Sequence, residues 1–186
     1  MARLSSLSRY AVAAIFAATT VCSPVFADDD ELEALFEGLL TAEDAAVAQI
    51  ERRIYEIWSQ SGSDAMDLLL ARGREALEAG DPRRAVEHFS ALIDHAPEFA
   101  EGYNARATAF FQQQRYGQSL ADIQRTLALN PEHFGAMVGL AFILEEIGRP
   151  EDALDAWREV EKLNPNRDGL AEAVARLELR VEGTDI

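Results

Sequence analysis

Three histidines, His88, His95 and His133, are the side chains of this 186-residue sequence best equipped for metal or proton chemistry. His88 and His95 stand two turns apart along one helical stretch, and no third ligand follows at metal spacing. That pattern predicts no metal site. His95 falls instead where a helix should end, and partial positive charge is favoured there. No Gly-x-Ser-x-Gly, Walker-type loop or His-Glu-x-x-His run occurs in the sequence. Gly135 and Gly139 are four apart, a helical spacing that serves close backbone approach and not phosphate binding. Glu145-Glu146 reads as solvated charge. With no catalytic constellation, the expectation is a chain that is not an enzyme and takes no cofactor. Arginine and aromatic side chains remain, and these are the usual anchors of interfaces.

Compartment and charge narrow the partners. Arg3 and Arg9 precede an apolar run from Ala11 to Val21, and Val25-Phe26-Ala27 supplies small residues one and three places before a cut. Residues 1–27 are therefore expected to be a cleaved secretory signal, with the apolar run about half the roughly 20 residues a membrane span needs. The short signal points to the bacterial periplasm, full secretion being the alternative. Cys22 is the only cysteine and would leave with the signal; Val21 before it argues against lipidation. Losing Arg3 and Arg9 takes Lys+Arg from 17 to 15 against 33 Asp+Glu, a net charge of −18. Such a field repels nucleic acid and anionic lipid; it serves solubility, the alternative being a basic protein or peptide steered by charge. No later stretch is apolar enough to insert stably in a membrane.

Pro97, Pro131 and Pro165 lie 34 residues apart. Counting back equally from each gives Gly73, Ala107 and Ala141, then Ala85, Ser119 and Ala153, then Phe89, Ile123 and Trp157. A fixed period of this kind means one supersecondary unit stacked on itself. Each unit reads as two helices. In the first, Gly80 closes one helix while Asp81 and Pro82 open the next. Gly148-Arg149-Pro150 repeats that turn, and Arg115-Tyr116-Gly117 stands in the middle unit.

In this register the residues resemble the tetratricopeptide repeat, whose signature places large, small and aromatic residues before Ala-x-x-x-Phe and a closing Pro. The three units supply Leu69, Gly73, Ala76, Ala85 and Phe89; Tyr103, Ala107, Phe110, Ser119 and Ile123; and Met137, Ala141, Leu144, Ala153 and Trp157. Arg72 and Arg106 depart from the usual Leu, while Leu140 conforms. The resemblance covers residues 66–167, as units 66–99, 100–133 and 134–167. It implies an all-α, short right-handed superhelical solenoid of three helix pairs with N- and C-terminal capping helices. The function implied is a protein- or peptide-binding scaffold or assembly factor in the cell envelope. The alternative readings are a self-associating module joined through Ile54, Ile57 and Trp58, or an enzyme or ligand-binding domain with an unrecognised site.

The resemblance further implies a concave groove lined by the first helix of each pair. Asp67, Leu70, Arg74 and Leu77 come from the first unit, Glu101, Asn104, Thr108 and Phe111 from the second, and Val138, Phe142 and Glu145 from the third. Leu70 and Leu77 are equally placed to be core. Arg74, Asn104, Thr108, Phe111, Val138 and Phe142 are thus the expected partner-binding residues. Truncating Arg74 or Phe111 should weaken binding and leave folding intact. Some members of the family clamp a partner's C-terminal carboxylate with Lys and Asn. The matching places here are Leu70, Arg74, Ala105, Gly135 and Gly139, so that clamp is expected to be absent.

Residues 28–65 form an N-terminal extension. Thr41-Ala42-Glu43-Asp44 resembles a capping box, and Val47, Ile50, Ile54, Ile57 and Trp58 form the stripe of the helix it would open. That helix is expected to pack on the first repeat, with a shorter helix around Leu32 to Leu39 before it. Residues 168–186 should supply the C-terminal capping helix and a tail. Asp28-Asp29-Asp30 and Gly183 to Ile186 are expected to fray.

Overall fold

A computed structural model describes residues 25–183. The expected signal segment therefore lies almost wholly outside the described residues, as does the tail beyond Gly183. The described residues form nine α-helices and no strand. Helices α3 (Asp64–Glu78) and α4 (Pro82–His95), α5 (Ala100–Gln112) and α6 (Tyr116–Leu129), and α7 (Phe134–Glu146) and α8 (Pro150–Leu163) make three antiparallel pairs. Each pair stacks on the next through α4 on α5 and α6 on α7, and α9 (Leu170–Glu182) caps α8. This is the solenoid that the period of 34 requires.

Packing within each pair follows the small and large positions. A Cβ built on Gly73 would lie 2.2 Å from Phe89 Cε1, so this ring fills the space a glycine leaves. Ala107 with Ile123 and Ala141 with Trp157 repeat the arrangement, all four side chains being buried. Two polar departures are satisfied in place. Ser119 Oγ donates to the Ala107 carbonyl at 2.7 Å. Arg106 grips both carboxylate oxygens of the buried Asp122 at 2.8 Å and reaches Ser90 at 3.1 Å. A bidentate pair of this kind fixes geometry as well as charge.

The turns match the expectation in two repeats and expose a cost in the third. Asp81 accepts from the Arg84 amide, and Pro82 and Pro150 open α4 and α8. Gly80 and Gly148 adopt φ of +73° and +75°, and the equivalent Gln114 is held at +58°. A left-handed residue other than glycine costs roughly 1 kcal/mol. Gln114→Gly should therefore raise stability by about 0.5–1 kcal/mol, less what the freer unfolded chain takes back, and urea denaturation will read it.

The N-terminal extension is where the fold departs from the sequence reading. α1 (Val25–Thr41) begins before Asp28-Asp29-Asp30, so these residues are helical and not frayed. Acidic residues suit the first turns of a helix. The capping box fails as well: Thr41 ends α1, while α2 (Asp44–Trp58) takes Glu43 as its N-cap without a side-chain bond. Most importantly, the α1–α2 hairpin does not pack its apolar stripe on the first repeat. Its core of Leu39, Val47 and Ile54 closes on Phe134 and Leu163, at the far end of the array. Ile54 and Ile57 are buried and Trp58 is half-buried in the chain itself, so these residues offer no face for self-association.

Candidate functional site

Five of the six expected partner-binding residues converge on one hollow. Asn104, Ala107, Thr108 and Phe111 recur at three- and four-residue steps on α5, and Gly135, Val138, Gly139 and Phe142 do so on α7. Residues at these steps share a helix face, so two stacked helices present two parallel rows. Ser119 and Ile123 of α6 supply the floor. The hollow holds about 200 Å³. That is below the roughly 300–1,000 Å³ of small-molecule sites, and it suits a side chain carried by a polypeptide.

The lining is mostly apolar with a fixed polar rim. Phe142 is 46% exposed, unusual for so large an apolar group. Its ring is held edge-on against Trp157 at 5.4 Å and 85°. Trp157 Nε1 donates to Glu145, and Glu145 accepts in turn from Arg176 of α9. Burial pushes the Glu145 carboxyl up, but the bonds from Arg176 and Trp157 outweigh it and hold it below the usual carboxylate range. Glu145, expected on the groove face, thus serves as a brace behind Phe142. On the other row, Phe111 is half-buried against Tyr116, ring centroids 5.7 Å apart. Thr108 Oγ1 donates to the Asn104 carbonyl, leaving its oxygen able to accept from a ligand.

Arg74 is the residue that the structure moves out of the group. Its guanidinium donates to Glu101 Oε1 at 2.6 Å and to Ser59 Oγ at 2.9 Å. Glu101, expected in the open groove, is only 4% exposed. Its other oxygen accepts from Asn104 Nδ2 and meets His133 Nε2, each at 3.0 Å. His133 is fully buried and caps α7, its Nδ1 accepting from the Ala136 amide at 3.1 Å. An amide can only donate, so the ring's proton sits on Nε2 and is given to Glu101. Arg74→Ala would strip a buried carboxylate of its cation, against the expectation that folding is spared. A loss of about 1–3 kcal/mol is expected in thermal or urea unfolding, so this variant is no clean probe of binding.

The rest of the expected first-repeat face also turns inward. Leu70 is 2% exposed in the core beside Ala105 and Ala109, which settles its role as packing. Leu77 packs on the same cluster, and Asp67 Oδ1 accepts from Ser61. The hollow is thus a feature of the second and third repeats. Sequence reasoning missed Phe134, Gly135 and His133, which receive the N-terminal hairpin. The signal was present: at the positions equivalent to Phe134 and Gly135 the second repeat has Ala100 and Glu101, and the first has Met66 and Asp67.

A stacked helical array with an apolar hollow, a polar rim and no cluster of metal-ligating side chains among the described residues defines a helical-repeat scaffold. The family model of the tetratricopeptide repeat matches residues 70–121 and 104–168. The chain belongs to the tetratricopeptide repeat family. A TPR repeat-containing protein of Rhizobium etli is 32% identical over 153 residues, covering 82% of this chain and 75% of its own. The small glutamine-rich tetratricopeptide repeat-containing protein 2 of Saccharomyces cerevisiae is 28% identical over 127 residues, 68% of this chain but 36% of the yeast protein. Among solved structures, the first TPR of Spaghetti (RPAP3), bound to an HSP90 peptide, superimposes with a TM-score of 0.62 at 18% identity. That match covers 64% of this chain and 95% of the other, and it is a likeness of fold.

Proposed function

We propose that this chain is a non-catalytic scaffold of the bacterial cell envelope that holds a protein or peptide segment by an apolar side chain seated between α5 and α7. The observation that carries this reading is the exposed Phe142, braced by Trp157 and flanked by Val138 on α7, facing Phe111 of α5 across the hollow. Desolvating such a surface with a matching side chain is favourable, and the bracing means little ordering cost on binding. The RPAP3 domain, which shares the fold, was solved with a peptide bound, and this supports a peptide-like ligand. A formal charge of −16 favours a basic partner through long-range steering. The residue pattern of positions 1–27 supports export to the periplasm, with processing after Ala27.

A photoreactive amino acid placed at the exposed Thr108 should cross-link one polypeptide in envelope fractions. Adding Phe142→Ala should abolish that product, and the same group at Glu87, exposed on α4, should give none. Equal labelling from both positions would reject the hollow as the site. N-terminal sequencing of the same material should begin at Asp28, and a chain that begins at Met1 would reject export.

A further inference from the structure

The α1–α2 hairpin lies across the array in the manner of a bound helix. Glu51, Tyr55 and Trp58 sit at i, i+4 and i+7 on α2 and face the repeats, the spacing by which a helix docks in a groove. Glu51 accepts from Asn164 and from Arg167. Trp58 stacks on His133 with centroids 4.3 Å apart and planes at 24°. Both Tyr55 and Trp58 pack on the fully buried Phe134, at 5.3 and 5.2 Å. A Cβ built on Gly135 would lie 2.2 Å from the Tyr55 hydroxyl oxygen, so only glycine admits that ring. Burial raises the Tyr55 phenol well above its ordinary value.

The hairpin also has the marks of a separable unit. Leu39, Val47 and Ile54 join its two helices in an apolar cluster that Phe134 of the array completes, and Arg53 clasps α2 to α1 by donating to Glu31 at 2.6 and 3.0 Å. One link, Ser59 to Ser63, joins it to α3, with Gly62 at φ +78°. Its hold on the array is imperfect: the buried Asn164 Oδ1, at the Glu51 end, has no hydrogen-bond partner. A buried acceptor left unpaired costs free energy, here beside the place where Glu51 docks.

We infer that His133, Phe134, Gly135, Asn164 and Arg167 form a helix-binding seat that α2 occupies in cis. An amphipathic helix presenting a carboxylate and two aromatics at i, i+4 and i+7 displaces α2 from it. Gly135 lines the Phe111–Phe142 hollow as well, so an emptied seat and the hollow make one continuous groove. The seat extends the proposed binding role, but its test needs neither the natural partner nor Phe142, so either reading can fail alone.

The probe is a fluorescein-labelled peptide of residues 30–60, titrated by anisotropy against the full chain. Tyr55→Ala with Trp58→Ala should empty the seat and bind the peptide saturably, at least tenfold more tightly than the wild-type chain, whose seat is filled. Adding Gly135→Ala to the emptied chain should remove at least tenfold of that affinity. No saturable binding to an emptied chain of native helicity, or equal binding by all three chains, would overturn the seat. Should the emptied chain lose its helicity, hydrogen exchange of the wild type decides. Amides of α2 exchanging well ahead of those in α5 to α8 support a displaceable helix, and exchange only with the whole fold overturns it.

Discussion

Replacing Phe89 with alanine is expected to cost about 3–5 kcal/mol of folding stability, the range for a large aromatic truncated in a packed core. Phe89 is fully buried, and its ring passes over Gly73 so closely that no Cβ fits there. Against a total of about 5–15 kcal/mol for a domain of this kind, the variant should unfold at far lower urea than the wild type. Gly73→Ala attacks the same contact from the opposite helix and should cost about 1–3 kcal/mol by overpacking. The two losses should not add, because removing the ring opens the space that the new methyl needs. A double variant as unstable as the sum of the singles would contradict this packing.

Phe142→Ala should weaken partner binding at least tenfold, or about 1.4 kcal/mol, while leaving the fold largely intact. The ring is nearly half exposed, so its truncation forfeits chiefly the edge-on contact with Trp157, about 0.5–1.5 kcal/mol of stability. Binding suffers more because the ring is the wall against which an incoming side chain is desolvated. Phe111→Ala should act in the same direction from the facing helix. The measurement is a titration of each variant with the polypeptide captured at Thr108, after circular dichroism confirms native helicity. Unchanged affinity in both variants would sink the proposed role of the hollow.

The array and its hollow were legible in the sequence because a repeat writes its contacts locally. Gly73 and Phe89, or Ala141 and Trp157, are close in sequence and recur in phase, so period alone pairs them. That Thr108, Phe111, Val138 and Phe142 line a groove came from the resemblance to the tetratricopeptide repeat, with the period supplying only their register. The N-terminal hairpin was not legible, since its partners lie about three repeats away and recur nowhere. Glu51 meets residues 113 and 116 positions later in the chain. Arg74 was misread for a related reason: its carboxylate belongs to the next repeat and is tied to a histidine at the far end of that repeat, where α7 begins. Periodicity describes the face on which a side chain starts, not the neighbour that claims its charge.

The long reach from Glu51 to Arg167 bears on the order in which the molecule assembles. Joining the ends of a disordered loop of that length costs about 4 kcal/mol of chain entropy, whereas successive helix pairs close only short loops. Folding the pairs first brings Phe134 and Arg167 into place and removes most of that cost before α2 arrives. The array should therefore form in an early kinetic phase, with the Trp58 environment settling in a later one. Once made, the Glu51–Arg167 bond makes a ring of what is otherwise a row, so the last pair cannot peel away without first releasing the chain's beginning.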